Sequence, residues 1–184
     1  VFAMEEETGV ISVKIVPDRE RVPAYVLRVV AIDAANNTGW ANIHISILDE
    51  NDWSPTFLND TFVMNVTEGP SSIGTRLRLP VVDYDDGINR QMEVYIVDGN
   101  AEGEFRLDVD EGGPLLTIVS ELDREKYHVH EAALHLVSVA AKDKGLPPRI
   151  GKTRVAVIIQ DINDTPPKFA HDSYFEFVSE NIAV

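Results

Sequence analysis

Three strings of residues occur twice in this chain, in the same order and at nearly the same spacing. Asp18-Arg19-Glu20 returns as Asp123-Arg124-Glu125, 105 residues on. Ala31-Ile32-Asp33 returns as Ala141-Lys142-Asp143, 110 residues on. Asp49-Glu50-Asn51-Asp52-Trp53-Ser54-Pro55 returns as Asp161-Ile162-Asn163-Asp164-Thr165-Pro166-Pro167, 112 residues on. A period of about 110 residues is one small β-sandwich domain and far exceeds a solenoid repeat. A chain of 184 residues therefore has room for one whole copy and pieces of its neighbours.

The segments between these strings alternate with period two. Ile43, Ile45 and Ile47 alternate with Asn42, His44 and Ser46, and Phe62, Met64 and Val66 with Val63, Asn65 and Thr67. Val155, Val157 and Ile159 alternate with Arg154, Ala156 and Ile158. This spacing puts one set on a buried strand face. Short strands broken by Gly, Pro, Asn and Asp clusters predict an all-β sandwich. The run from Arg124 to Ala141 is the one competitor for a helix, and its tail, Leu134, Leu136 and Val139, suits a strand better. Pro55 and Pro166 cannot donate to a ladder, so the strings around them read as short, stiff linkers.

The expected division is residues 1–52 as the later half of one repeat with its linker, 53–164 as a complete repeat with its linker, and 165–184 as the first strand of a third. Tyr174 to Val178 echoes Thr61 to Asn65 there, and Glu180 echoes Glu68. The chain begins at Val1 inside a structured pattern and is read as an excised fragment.

Acidic residues number 31 against 16 basic ones, a net charge of −15. That balance argues against nucleic acid and against docking on anionic lipid, and favours cations as partners. Cysteine is absent, which excludes disulfides and thiolate zinc sites. No signal peptide and no long apolar run is present, so no direct membrane contact is expected of this segment. No nucleophile elbow, phosphate loop or zincin helix occurs, and paired carboxylates that recur at domain edges do not describe one glycosidase cleft. The expectation is no enzyme and no small-molecule substrate. His128 and His130, with Glu131 nearby, could hold a transition metal, but an exposed polar strand or loop is favoured.

Clustered oxygen donors at domain edges suit a hard cation, which takes six to eight oxygens from carboxylates, Asn amides and backbone carbonyls. Asp83-Tyr84-Asp85 offers two carboxylates two residues apart, and Gly87 permits a turn before Asn89. Solvated turns are the alternative, since Asp and Asn favour turns anyway, and duplication with matched partners weighs against it.

These strings together resemble the extracellular cadherin repeat, in the style of the long Fat, Dachsous and protocadherin chains. The resemblance spans the whole chain. It implies all-β, seven-stranded Greek-key sandwich repeats joined end to end through calcium-binding linkers, on the extracellular side of the plasma membrane, with calcium as the cofactor. It implies calcium-dependent cell–cell adhesion to another cadherin ectodomain, homophilic or heterophilic. A calcium-stiffened, non-adhesive spacer of a receptor or tether is the alternative. Carried over residue by residue, the first linker would use Asp18, Glu20, the carbonyl of Glu50, Asn51, Asp52, the carbonyl of Trp53, Asp83, Asp85, the carbonyl of Asn89 and Asp143. The second would use Glu68, Asp123, Glu125, the carbonyl of Ile162, Asn163 and Asp164. Arg19 and Arg124 are expected to balance neighbouring carboxylates. Pro17 departs from the pattern, which has Leu there, as at Leu122. Asn36, Asn59 and Asn65 each open an Asn-x-Ser/Thr string, a candidate N-glycan acceptor.

Overall fold

Strands form where the alternation predicts them, and their order fixes which chain ends meet. The computed structural model describes residues 1–127, 134–178 and 180. The strands are β1 (Phe2–Met4), β2 (Ile11–Val13), β3 (Ala24–Ile32), β4 (Thr38–Ser46), β5 (Thr56–Phe57), β6 (Thr61–Thr67), β7 (Arg76–Arg78), β8 (Val81–Val82), β9 (Met92–Asp98), β10 (Phe105–Asp110), β11 (Gly113–Ile118), β12 (Leu134–Asp143) and β13 (Ile150–Gln160). Among the described residues the only helical pieces are two 3-10 turns, at Pro70–Ser72 and Arg124–Tyr127.

One sheet runs β6-β13-β12-β9, with β6 parallel to β13 and the other pairs antiparallel. The facing sheet runs β10-β11-β7, and β5 pairs with β8. Pro80 separates β7 from β8, and its carbonyl accepts the Leu58 N–H at 3.0 Å. Counting β5 with β6 and β7 with β8 as interrupted strands gives the seven of a Greek-key-like sandwich. The chain leaves one sheet for the other between β5 and β6. The Thr153 hydroxyl, 3% exposed, pins that crossing by donating to the carbonyls of Asn59 and Asp60 at 2.9 and 3.2 Å.

The core follows the alternation. Phe62, Met64 and Val66 from β6, Val137, Val139 and Ala141 from β12, and Val155, Val157 and Ile159 from β13 are buried. They meet Leu79, Phe105, Leu116 and Ile118 of the opposite layer. Each such side chain stabilises the fold by roughly 1.5–3 kcal/mol. The tail of the Arg124–Ala141 run is strand β12, with Leu134 and Leu136 facing out and Val139 facing in.

Before this sandwich lie two hairpins, β1–β2 and β3–β4. Ile43, Ile45 and Ile47 share a face as expected but are only half-buried. Alternation chooses a face, and burial needs a layer over it. The contact found across that face is the Phe2 ring edge-on to Tyr25 at 5.1 Å. The expected strand at Tyr174–Val178 has no ladder: no strand is assigned there, and Phe175, Phe177 and Val178 are at least three-quarters exposed. No described strand lies beside it to accept its N–H groups. His128, His130 and Glu131 fall outside the described residues.

Candidate metal centre

The first linker gathers its acids because four turns end at one place. Asp18-Arg19-Glu20 forms a turn ahead of β3, closed by the Arg21 N–H on Asp18 Oδ1 at 3.0 Å. Residues 49–55 run on from β4. Asp83 and Asp85 leave the end of β8, and Asp143 is the last residue of β12. Arg19 ties the region together. Its guanidinium pairs with Glu20 at 2.8 Å and with Asp49, and donates to the Tyr84 carbonyl of the sandwich at 2.9 Å. The balancing role expected of this arginine is what the structure gives it.

Four side chains divide their head groups in the same way. Asp143 Oδ1 accepts the N–H groups of Gly145 and Arg149, both at 3.0 Å, and the Asn51 amide at 3.3 Å. Asp83 Oδ1 accepts the Asp85 N–H at 3.0 Å, and Asp85 Oδ1 accepts the Trp53 N–H at 3.3 Å. Asn51 spends its amide nitrogen on Asp143 Oδ1 and the Pro147 carbonyl. The other oxygen of each, Asp143 Oδ2, Asp83 Oδ2, Asp85 Oδ2 and Asn51 Oδ1, is buried and has no donor among the described residues. A buried oxygen without a donor costs on the order of 1–3 kcal/mol, and more when charged. Oxygens of these types are the kind a hard cation takes. Beside them, Glu20, Asp52 and Asp85 bring one carboxylate oxygen each to within 4.8 Å of one another.

The electrostatics agree. Burial pushes Asp85 up to about 6, against the Trp53 N–H, and Asp83, Asp49 and Asp52 push the same way. Burial also raises Asp83, opposed by the Asp85 N–H and helped by Asp143. Asp49 behaves oppositely. It is desolvated too, yet the Asp86 N–H, the Asn89 amide and Arg19 hold it below the usual carboxylate range. Asp49 is thus a satisfied structural acid, while Asp83 and Asp85 are left wanting positive charge.

The second linker repeats part of this pattern. Glu68, Glu125 and Asp164 bring one oxygen each to within 4.8 Å of one another. Glu68, 1% exposed, accepts the Ile162 N–H at 2.6 Å and the Arg124 N–H at 2.8 Å. Its own backbone N–H holds Glu125 down, but desolvation and the charges of Glu68 and Asp164 raise it overall. Asp123 Oδ1 accepts the Glu125 N–H at 3.0 Å. Arg124 pairs with Asp161 at 2.9 Å, as Arg19 does with Asp49.

The other expected donors are placed as follows. The Glu50 carbonyl accepts the Asp52 N–H at 2.9 Å and the Ile162 carbonyl accepts the Asp164 N–H at 2.7 Å, so both linkers make the same tight turn. Trp53 packs its ring edge-on to Tyr84 at 4.8 Å. Gly87 sits at φ +57 in the turn between Asp86 and Asn89, and the Asn89 amide donates to Asp49. Asp18 and Asn163 are exposed. Two supporting residues were not singled out from sequence. Gly145 packs against the Asn51 amide so closely that a Cβ there would lie 2.2 Å from it. Asp49 is the other, and its recurrence as Asp161, each beside a duplicated arginine partner, is the signal that sequence carries for it.

The cadherin domain family matches residues 62–160 of the chain. Cadherin-23 of Rattus norvegicus is 32% identical over 182 residues, covering 98% of this chain and 5% of that protein. Cadherin EGF LAG seven-pass G-type receptor 1 of Homo sapiens is 33% identical over 187 residues, covering 99% of this chain and 6% of that protein. The chain thus spans about a twentieth of the length of the curated relatives it matches. The solved repeats EC3-6 of protocadherin gammaB7 superpose with a TM-score of 0.77 at 27% identity, covering 94% of this chain and 40% of that one.

Proposed function

Because the chain belongs to the cadherin family of extracellular, non-catalytic adhesion repeats, we propose that it is a segment of an adhesive rod whose repeats are locked together by calcium at their linkers. The supporting observation is the set of four buried oxygens at the first linker that have neither a hydrogen-bond donor nor an ion pair among the described residues. All are carboxylate or amide oxygens, which suits calcium; the three carboxylates belong to the repeat at 53–164 and the Asn51 amide to the residues before it. In this reading residues 1–52, 53–164 and 165–184 belong to three successive repeats. The first linker draws on Asp18, Glu20, the Glu50 carbonyl, Asn51, Asp52, the Trp53 carbonyl, Asp83, Asp85, the Asn89 carbonyl and Asp143. The second draws on Glu68, Asp123, Glu125, the Ile162 carbonyl, Asn163 and Asp164.

Calcium would supply the positive charge that these acids lack. The protein's own residues do the rest. Asp83, Asp85 and Asp143 are each fixed through one oxygen by backbone N–H groups, so the free oxygens are held in place before any ion arrives. Glu20 and Asp52 come from the other side of the junction. Without the ion, like charges face each other across the linker and favour its opening by on the order of 1–4 kcal/mol per close pair at intermediate dielectric. With it, the angle between repeats is fixed and distal surfaces can meet another cadherin ectodomain on a neighbouring cell.

Bead aggregation with the full ectodomain that contains these repeats tests the adhesive reading. Aggregation in calcium, abolished by chelator and reduced by Asp85→Asn, is expected. Beads that stay dispersed in calcium would leave the repeats as a spacer and remove the adhesive role.

A further inference from the structure

The outward face of the four-stranded sheet carries an aliphatic strip that no described element covers. Val63 on β6, Ile158 on β13, and Leu134 and Leu136 on β12 are between 40% and 53% exposed. Ladder register makes them neighbours: Val63 stands beside Ala156, Ala156 beside Leu136, and Ile158 beside Leu134. Contiguous apolar surface of this kind on a soluble face calls for an occupant.

Asn65 stands in the same row. It pairs in register with Ile158, which pairs with Leu134, so the three side chains cross three strands at steps of about 4.8 Å. Val66 points into the core and Asn65 points out, exposed, on the edge strand β6. Asn65-Val66-Thr67 is an acceptor string for N-linked sugar. Asn36, in the β3–β4 turn, and Asn59, between β5 and β6, are not in ladder register with the strip.

We propose that Asn65 carries an N-linked glycan whose first sugars lie over Ile158, Leu134 and Val63. The transfer forms a bond from the Asn65 amide nitrogen to the anomeric carbon of a lipid-linked oligosaccharide pyrophosphate. That carbon's bond to the phosphate breaks, one amide proton leaves, and nothing is oxidised or reduced. An extracellular repeat passes through the compartment that holds this donor. The glycan would do two things: shield the strip, and stop β6 from pairing edge to edge with another chain, a hazard of every open sheet edge.

The test is the protein secreted from a glycosylating eukaryotic host. Enzymatic release of N-glycans in heavy-oxygen water should leave labelled aspartate at position 65. Asn65→Gln should remove one glycan, raise binding of an apolar dye severalfold and promote self-association in light scattering. Releasing the glycan from folded wild-type protein, which leaves aspartate at position 65, should reproduce both effects. Unmodified Asn65 in the secreted protein would overturn the assignment. A glycan at Asn65 whose removal changes neither dye binding nor association would overturn its shielding role.

Discussion

Replacing Asp85 by Asn should change stability in opposite directions with and without calcium. The side chain is 1% exposed, and its folded-state pKa is raised to about 6 from an ordinary 3.8. Because the folded value lies above the unfolded one, the folded protein holds this proton more tightly. The charged form is therefore penalised once pH exceeds both values. At 1.36 kcal/mol for each tenfold in proton affinity, the penalty at pH 7 is about 3 kcal/mol as an order of magnitude. Asn keeps the shape and an oxygen for the Trp53 N–H but drops the charge. In chelator at pH 7, Asp85→Asn should thus be more stable than the wild type, by about 1–3 kcal/mol. In saturating calcium it should be less stable, because it loses binding free energy that stabilises the folded state; a ligand at a hundred times its Kd contributes about 2.7 kcal/mol. Urea melts of both proteins in both conditions read this directly. The gap in chelator should vanish near pH 3.5, and wild-type stability there should fall as pH rises from about 4 to about 6. A variant less stable than the wild type in chelator as well as in calcium would refute the reasoning, since it would make Asp85 an ordinary structural acid.

Other perturbations separate scaffold from site. Arg19→Ala removes the contacts to Glu20, Asp49 and the Tyr84 carbonyl, and should cost about 1–2 kcal/mol and expose the 49–55 linker to protease in chelator. Arg124→Ala, whose partner Asp161 is half-exposed, should cost under about 1 kcal/mol in the same denaturant melts. Gly145→Ala should displace the Asn51 amide and lower calcium affinity at the first linker, read by titration, while the second linker keeps its own. Leu116→Ala, at a fully buried position facing the β12–β13 layer, should cost about 2–5 kcal/mol in chelator and calcium alike.

Alternation made the core of the sandwich legible. Phe62, Met64 and Val66, and Val155, Val157 and Ile159, are buried as their spacing demands. The same signal overreached at Ile43, Ile45 and Ile47, because period two names a face and is silent on whether a neighbour covers it. The switch of the first strand between sheets was not legible. It depends on the Thr153 hydroxyl reaching two carbonyls more than ninety residues away in sequence. Duplication pointed to the acidic strings, and the structure brings Glu20, Asp52 and Asp85 together, as it does Glu68, Glu125 and Asp164. What sequence could not give was the division of labour within each head group. Asp143 is oriented by Gly145 and Arg149, and the tight seat of Asn51 on Gly145 is a contact between residues 94 apart.

The most direct measurement is a calorimetric titration of calcium into the chelator-stripped chain at pH 7, with and without excess magnesium. Saturable calcium uptake that magnesium does not displace, weakened by Asp85→Asn, is the expected result. Absence of any calcium uptake by the wild-type chain would contradict the claim that the four donorless oxygens of Asn51, Asp83, Asp85 and Asp143 await a cation.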